Sequence, residues 1–279
     1  MKTPICFTLL IKTPYRLSIL SNVNYKFFFN NIGRNFIICK KILWIIMKKV
    51  FISGVSRGIG LEILRKLHNN YKVSGSTSNY ENFKKVINEL NLDSDEFCEI
   101  NAMDLIDENH FQQSSIMIPG DIDVLINNAG IGEFKNFDST DLNILQSHLD
   151  INLKFPYLLT KAVLPGMLLR KSGIIINILS VAIRKPFTNS SVYSASKAAV
   201  AAMFDSLREE VRTEGIKIAN VYVGATDTDI WHPKVREKYS QRMLSAKDVA
   251  ESISSLIELN SREKIMVEEI VIRPQLGDL

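Results

Sequence analysis

The chain has 279 residues, of which 46% are hydrophobic and 23% charged, and its formal net charge is +4. This length is enough to bury a substantial core and is close to the size at which one domain suffices. With only 13 glycines and 8 prolines, the composition excludes a fibrous or low-complexity chain.

The positive charge is confined to the beginning of the chain. Residues 1–46 hold seven Lys or Arg and no Asp or Glu, whereas residues 47–279 have a net charge of −3. We therefore predict no nucleic-acid partner for the folded part.

The longest apolar run of the first segment, residues 42–47, is far below the roughly 18 residues of a membrane span.

We expect residues 1–46 to be a basic leader that is disordered or not translated, with translation starting at Met47. An alternative role for this segment is association with a membrane surface, which would change the location of the protein without changing its chemistry. No secretory signal is visible, since Lys and Arg interrupt the apolar stretches and no small-residue cleavage site follows.

Cysteine and histidine are sparse and scattered. The chain contains Cys6, Cys39 and Cys98, and also His68, His110, His148 and His232. These spacings indicate neither a disulfide framework nor a metal site. We predict reduced thiols, a cytoplasmic location and no metal.

From residue 47 onward, short apolar runs alternate with stretches of helical periodicity. The predicted strands are 49–53, 71–75, 97–101, 122–126, 174–179, 217–223 and 268–272. The predicted helices lie near 58–69, 80–91, 141–170, 192–213 and 246–259. This alternation predicts one α/β domain over residues 47–279, in which helices cover both faces of a seven-stranded parallel sheet.

A glycine-rich turn separates the first strand from the first helix. Its sequence is Ser53-Gly54-Val55-Ser56-Arg57-Gly58-Ile59-Gly60. Glycines permit a tight turn and a close backbone approach, and the free N–H groups at a helix start attract a pyrophosphate. The turn therefore predicts a site for a cofactor phosphate, the alternative being a simple connection between two elements.

Tyr193 and Lys197 are four residues apart on a predicted helix and so share one face. A phenol there could exchange a proton with a carbonyl or alcohol oxygen. A neighbouring ammonium would lower the phenol pKa from about 10 by about one to three units. Two other tyrosines also precede a lysine by four residues, but only Tyr193 has a serine, Ser180, thirteen residues before it.

Together these motifs resemble the short-chain dehydrogenase/reductase family, with Ser53 where the family's opening motif has Thr. The resemblance covers most of residues 48–279. It implies a Rossmann-type doubly wound fold and an NAD(P)-dependent oxidoreductase that moves a hydride between a nicotinamide and a carbonyl or alcohol. The alternative is a non-enzymatic NAD(P)-binding sensor or scaffold of the same fold.

The resemblance also assigns roles to individual residues. Ser180 would polarise the substrate oxygen, Tyr193 would transfer the proton, and Lys197 would bind the nicotinamide ribose and tune Tyr193. Asn152 would hold a water of the proton relay. The implied cofactor-binding residues are Gly54, Ser56, Arg57, Gly58, Ile59, Gly60, Asp104, Asn128, Ala129, Gly130, Tyr193, Lys197, Gly224, Thr226 and Thr228.

Two features bear on the cofactor. The family's Pro-Gly after the sixth strand is Val223-Gly224 here, which questions the rigidity of that loop. No acidic residue, which would repel a 2′-phosphate, follows the second strand, and Arg57 resembles the basic residue of NADP-preferring members. We predict NADP(H), with NAD(H) as the alternative and a solvated turn residue as the other interpretation of Arg57.

Two further expectations concern the surroundings of the site. Residues 229–243 should form a lid over a small-molecule carbonyl or alcohol substrate, with Ile230 as a wall and Trp231 and His232 as contacts. Alanines at five positions between 195 and 202 allow a close helix neighbour. That neighbour would belong to another subunit of a homodimer or homotetramer, or alternatively to the same chain.

Overall fold

The computed structural model describes residues 47–100, 109–111 and 118–279. The predictions made for residues 1–46 and for Asp104 lie outside these residues. Within the described part of the chain, no helix is long and apolar enough to cross a bilayer.

The predicted seven-stranded parallel sheet is confirmed. The strands are β1 (Lys49–Ser53), β2 (Lys72–Thr77), β3 (Phe97–Glu99), β4 (Val124–Asn127), β5 (Gly173–Ser180), β6 (Ile216–Val223) and β7 (Glu269–Ile272). Their order is β3-β2-β1-β4-β5-β6-β7, and every neighbouring pair is parallel. The winding direction reverses between β1 and β4, the position at which open α/β sheets bind ligands beside the carboxyl ends of their strands.

Helices connect the strands. In the described residues these are α1 (Gly58–Leu67), α2 (Tyr80–Leu90), α3 (Leu142–His148), α4 (Phe155–Arg170), α5 (Ser191–Val211), α6 (Pro233–Tyr239) and α7 (Ala246–Asn260). Short 3₁₀ turns occupy Ser94–Glu96, Phe137–Ser139, Val181–Ile183, Arg212–Glu214 and Ser240–Arg242.

The single helix predicted over residues 141–170 was wrong in its middle, because a π-helical turn at Leu149–Lys154 separates α3 from α4. Such a turn keeps the chain helical, so apolar spacing does not reveal it. The short helix α6 was also missed. It begins at Pro233, and the ring of His232 accepts the N–H of Lys234.

The two faces of the sheet are buried by different helices. Along β1, Val50 and Ile52 join a core with α1, α2 and α7, whereas Phe51 between them joins a core with α4 and α5. Side chains alternate across a strand, so a strand buried on both faces is apolar throughout. The carboxyl end of the sheet is left uncovered, and the loops there are free to build a site.

A row of buried asparagines crosses the centre of the sheet. Asn127, Asn177 and Asn220 lie side by side on β4, β5 and β6. The Asn127 amide donates to Asn177 at 2.8 Å, and the Asn177 amide donates to Asn220 at 2.9 Å. The Asn220 amide donates in turn to the carboxylate of Asp205 on α5, at 2.9 Å. The row therefore links three strands to the helix that carries Tyr193.

We expect Asn177→Leu to lower the free energy of unfolding by about 2–5 kcal/mol, because it leaves one donor and one acceptor buried without partners. The measurement is urea unfolding of both proteins. The exposed Asn70 offers a matched control, for which the same substitution should change stability by less than about 0.5 kcal/mol. An equal effect at the two sites would contradict the role of the row.

Candidate active site

The glycine turn leaves the N-terminus of α1 open. Gly54 and Gly58 have φ angles of +74° and +56°, in the left-handed region that favours glycine. A Cβ on Gly60 would lie 2.1 Å from the Gly54 carbonyl oxygen. No side chain caps α1 and its first turn holds no acidic residue, so its positive end suits an anionic phosphate.

The ends of β1 and β4 are held together at this turn. The Ser53 hydroxyl accepts the N–H groups of both Asn128 and Ala129, each at 3.0 Å. The Asn128 amide donates back to the carbonyls of Ser53 and Gly54, at 2.9 and 3.1 Å. Asn128 was predicted to bind the cofactor, and its side chain here orders the glycine turn.

The loop after β6 is tied down although it lacks the family's proline. The Gly224 N–H donates to Ile272 at 2.8 Å, and Leu244 exchanges backbone hydrogen bonds with Ala225 and Asp227 at 2.9 Å each. A Cβ on Gly58 would lie 3.2 Å from the methyl of Thr228. The loop therefore lies against the glycine turn, and both segments line one cleft.

Ser180, Tyr193 and Lys197 meet beside this cleft. Ser180 ends β5, whereas Tyr193 and Lys197 lie on α5 with 9% and 7% of their surfaces exposed. The Ser180 side chain is close enough to the Tyr193 hydroxyl to lower its pKa, and Lys197 Nζ donates to the Ile178 carbonyl at 3.0 Å. The structure thus brings the predicted proton-handling pair and its serine together.

The expected lowering of the tyrosine pKa by Lys197 was wrong for this structure. Burial raises the pKa of the Tyr193 hydroxyl above 10.0, and only the Ser180 side chain acts in the other direction. Burial also lowers the pKa of Lys197 to about 8. Removing water from both groups therefore dominates over any attraction between them.

Asn152 lies on the π-helical turn, 1% exposed. Its side chain accepts the N–H of Ile131 at 2.8 Å and donates to the carbonyl of the same residue at 3.0 Å. It also donates to Ser196 at 2.9 Å, and the Ser196 hydroxyl donates to the Tyr193 carbonyl at 2.8 Å. Asn152 therefore ties the loop after β4 to the helix of Tyr193.

His148 is a residue of this site that sequence reasoning missed. It is 0% exposed and its ring centre lies 6.4 Å from that of Tyr193. Nε2 accepts the N–H of Glu133 at 3.1 Å, so Nδ1 must be the nitrogen that donates to the Ile144 carbonyl at 2.8 Å. The neutral ring thereby holds the loop after β4, a contact that no local sequence signal predicts.

A cleft of about 1050 Å³ runs along the carboxyl edge of the sheet. Of the predicted site residues within the described chain, all but Gly60 and Asn152 line it. These two lie beneath the glycine turn and behind Gly130. Ile230, Trp231 and His232 also line the cleft, as expected of the lid. Lining residues that the sequence did not predict include Phe134 and Phe187.

Comparison with known proteins identifies the family to which this fold and this cleft belong. The family model for short chain dehydrogenase matches residues 48–239. The chain belongs to the short-chain dehydrogenase/reductase family. It is accordingly an NAD(P)-dependent oxidoreductase that acts on an alcohol or carbonyl.

Known relatives of this dehydrogenase align with it over nearly their whole length. An uncharacterized oxidoreductase of Staphylococcus aureus strain USA300 is 29% identical over 231 residues, which are 81% of this chain and 97% of the relative. A metagenomic short-chain oxidoreductase solved with NADP is 26% identical, with a TM-score of 0.67 over 82% of this chain and 98% of its own. An alcohol dehydrogenase of Thermococcus sibiricus, solved with 5-hydroxy-NADP, is 22% identical, with a TM-score of 0.71 over 84% and 99%.

We expect the dehydrogenase to become more stable as the pH rises through the range in which Lys197 titrates. The pKa of this ammonium is about 8 in the folded chain, against 10.5 ordinarily. Between these values the unfolded chain binds the extra proton, so raising the pH from about 7 to about 10 should favour the folded state by ~2 kcal/mol.

Urea unfolding at both pH values, with Lys197→Met as the comparison, measures this effect. The variant should lack the ~2 kcal/mol increase attributable to the buried ammonium. A wild-type protein and a variant with the same pH dependence of stability would contradict it.

We also expect the acceptor nitrogen of His148 to position the loop after β4. In His148→Gln the amide oxygen can replace Nε2, whereas in His148→Asn the amide reaches only the place of Nδ1. Losing a buried hydrogen bond costs about 1–3 kcal/mol. His148→Asn should therefore raise the KM for the carbonyl substrate about tenfold.

Two controls apply. The dissociation constant of His148→Asn for NADPH and the KM of His148→Gln for the carbonyl substrate should both stay near the wild-type values. Steady-state kinetics with fluorescence titration of NADPH gives all three quantities. If the Gln and Asn variants behave alike, the hydrogen bond to Glu133 does not position the loop.

Proposed function

We propose that this dehydrogenase is an NADP(H)-dependent carbonyl reductase or alcohol dehydrogenase in which Tyr193 is the general acid and base. The observation that carries the proposal is that Ser180, at the end of β5, and Tyr193, on α5, line one cleft. The pair faces the same cleft as the glycine turn, so a substrate oxygen and a nicotinamide could meet there.

The residues of the cleft fit a dinucleotide. The open N-terminus of α1 would hold the pyrophosphate, and the loop from Gly224 to Thr228 would contact the nicotinamide half. The Lys197 ammonium would bind the ribose next to it. When bound, the nicotinamide supplies or takes up the hydride.

The preference for NADP(H) is supported by Arg57. This side chain is exposed, lines the cleft, and has no hydrogen-bond or ion-pair partner in the described part of the chain. Ser76, Thr77 and Ser78 line the same end of the cleft and add hydroxyl groups. A guanidinium beside hydroxyls fits a 2′-phosphate, and no carboxylate at the end of β2 repels it.

The chain's own residues can handle the proton. The Ser180 hydroxyl would donate a hydrogen bond to the carbonyl oxygen of the substrate, and Tyr193 would transfer its phenolic proton to that oxygen during reduction. In the oxidation direction Tyr193 would accept the proton. Asn152 would hold a water that reloads the pair through the remaining lone pair of Oδ1, because both of its amide hydrogens are donated to Ile131 and Ser196.

The presence of Ser180, Tyr193 and Lys197 together argues against a non-enzymatic NAD(P)-binding sensor or scaffold. A protein that only binds the cofactor needs the glycine turn and the loop after β6. It has no need for a buried tyrosine paired with a strand-end serine. The burial of Lys197, which costs stability, is likewise explained by catalysis rather than by binding alone.

Assembly and location stay predictions. Ala195, Ala198 and Ala202 are exposed on one side of α5, and this small-residue surface supports a homodimer or homotetramer through close helix contact. Cys98, the one cysteine in the described part of the chain, is free and buried, which supports the predicted cytoplasmic location.

Tyr193→Phe tests the chemistry. Removing the phenolic proton should lower kcat about 10²–10⁴-fold while leaving the dissociation constant for NADPH near the wild-type value. Stopped-flow or steady-state consumption of NADPH with a panel of aldehydes measures the first, and fluorescence titration measures the second. A variant with wild-type turnover would refute the role of Tyr193.

Arg57→Leu tests the cofactor preference. Losing a charged hydrogen bond to the 2′-phosphate costs about 1.5–3 kcal/mol, so NADPH should bind about 10- to 100-fold more weakly. NADH binding should be unchanged, because NADH has no 2′-phosphate. Equal losses for both cofactors would show that Arg57 contacts a part that they share.

A further inference from the structure

An aromatic surface lies directly beyond Tyr193. The Phe134 ring packs edge-on against the Tyr193 ring, with centroids 5.4 Å apart at an angle of 62°. The same Phe134 stacks on Trp231 of the lid segment, with centroids 5.4 Å apart and planes 12° from parallel. Phe134 remains 36% exposed and lines the cleft together with Trp231. We call Phe134 and Trp231 the aromatic wall.

Further apolar side chains line the cleft near the aromatic wall. Phe187, Ile230 and Val235 also line the cleft, from other loops and from α6. The volume of about 1050 Å³ is at the upper end for small-molecule sites, so the cleft has room for a dinucleotide and a small substrate. An apolar group attached to a carbonyl on Tyr193 would therefore lie against these side chains.

In the described part of the chain, no Lys or Arg side chain beyond Lys197 lines this half of the cleft to receive an anionic substrate. Among the described lining residues the Lys and Arg side chains are Arg57, beside the glycine turn, and Lys197, which donates to the Ile178 carbonyl. Three carboxylate side chains line the substrate half, and each is paired with cations. The pairs are Glu133 with Lys135, Asp229 with Arg236, and Asp278 with Lys185 and Arg273.

These two observations restrict the substrate. A carboxylate or phosphate entering this half would lose its hydration without gaining a cation. A flat unsaturated group, in contrast, can stack on an aromatic face and gains more than its buried area alone provides. A saturated group of equal size gains only the burial.

We propose that the substrate is an uncharged carbonyl compound, or the matching alcohol, with a flat unsaturated group attached to the carbonyl carbon, and that the aromatic wall selects it. The inference rests on the proposed function. For an aldehyde, the hydride of NADPH forms the new C–H bond and the Tyr193 proton forms the O–H bond, giving a primary alcohol and NADP⁺.

Matched aldehydes test the selection. Benzaldehyde and cyclohexanecarbaldehyde have the same number of carbon atoms, but only the first is flat. 4-Carboxybenzaldehyde adds a negative charge to the flat ring. The values of kcat/KM for the three, with NADPH saturating, are compared in the wild-type protein, Phe134→Leu and Trp231→Leu. Comparing ratios between proteins cancels the different intrinsic reactivities of the aldehydes.

We expect each wall variant to lower the ratio of kcat/KM for benzaldehyde to that for cyclohexanecarbaldehyde about 2- to 12-fold. In the wild-type protein 4-carboxybenzaldehyde should be at least about tenfold poorer than benzaldehyde. Phe137→Leu is the matched control, because Phe137 follows on the same loop, is 78% exposed and is not part of this cleft. It should leave the ratio unchanged.

An unchanged ratio in both wall variants, a carboxylated aldehyde as good as the neutral one, or turnover of saturated aldehydes alone would overturn the inference. In each of these outcomes turnover that depends on Tyr193 would show that the proposed function still holds. If turnover does not depend on Tyr193, the proposed function itself has failed. NADPH titration of the variants verifies that they are folded.

Discussion

One hydroxyl group, that of Ser53, joins the two strands between which the site is built. It accepts two N–H groups from the loop after β4, and Asn128 answers by donating to the carbonyls at the end of β1. These bonds cross the position at which the winding of the sheet reverses. They fix the glycine turn on one side and the start of the loop after β4 on the other.

The positions of Tyr193 and Lys197 also depend on the loop after β4. Gly130 leaves room for Asn152 and Lys197, since a Cβ there would lie 3.1 Å from a side-chain atom of each. Ile131 is bonded by Asn152, and Glu133 is bonded by His148. The loop after β4 is thus held at Ile131 by the π-helical turn and at Glu133 by the end of α3. This arrangement places Phe134 against Tyr193 and keeps water away from Lys197, at a cost in stability that the site requires.

Local patterns in the sequence predicted much of the fold and the placement of the principal site residues. Strand order along the chain follows from apolar runs, and the glycine turn and the Tyr193–Lys197 spacing are contained in short segments. The contacts of His148 with Glu133 and of Phe134 with Trp231 join residues that are remote in the chain, so no spacing indicates them. The π-helical turn preserves helical periodicity, and the tyrosine pKa depends on burial, which a sequence does not display.

The central claim is that the open N-terminus of α1 and the Ser180–Tyr193 pair serve one bound dinucleotide. A crystal structure of the NADPH complex tests it most directly. The account predicts the pyrophosphate within about 3 Å of the N–H groups at the start of α1. It also predicts the nicotinamide beside Tyr193, with Lys197 bonded to its ribose. A cofactor bound elsewhere, or one whose nicotinamide lies away from Tyr193, would contradict it.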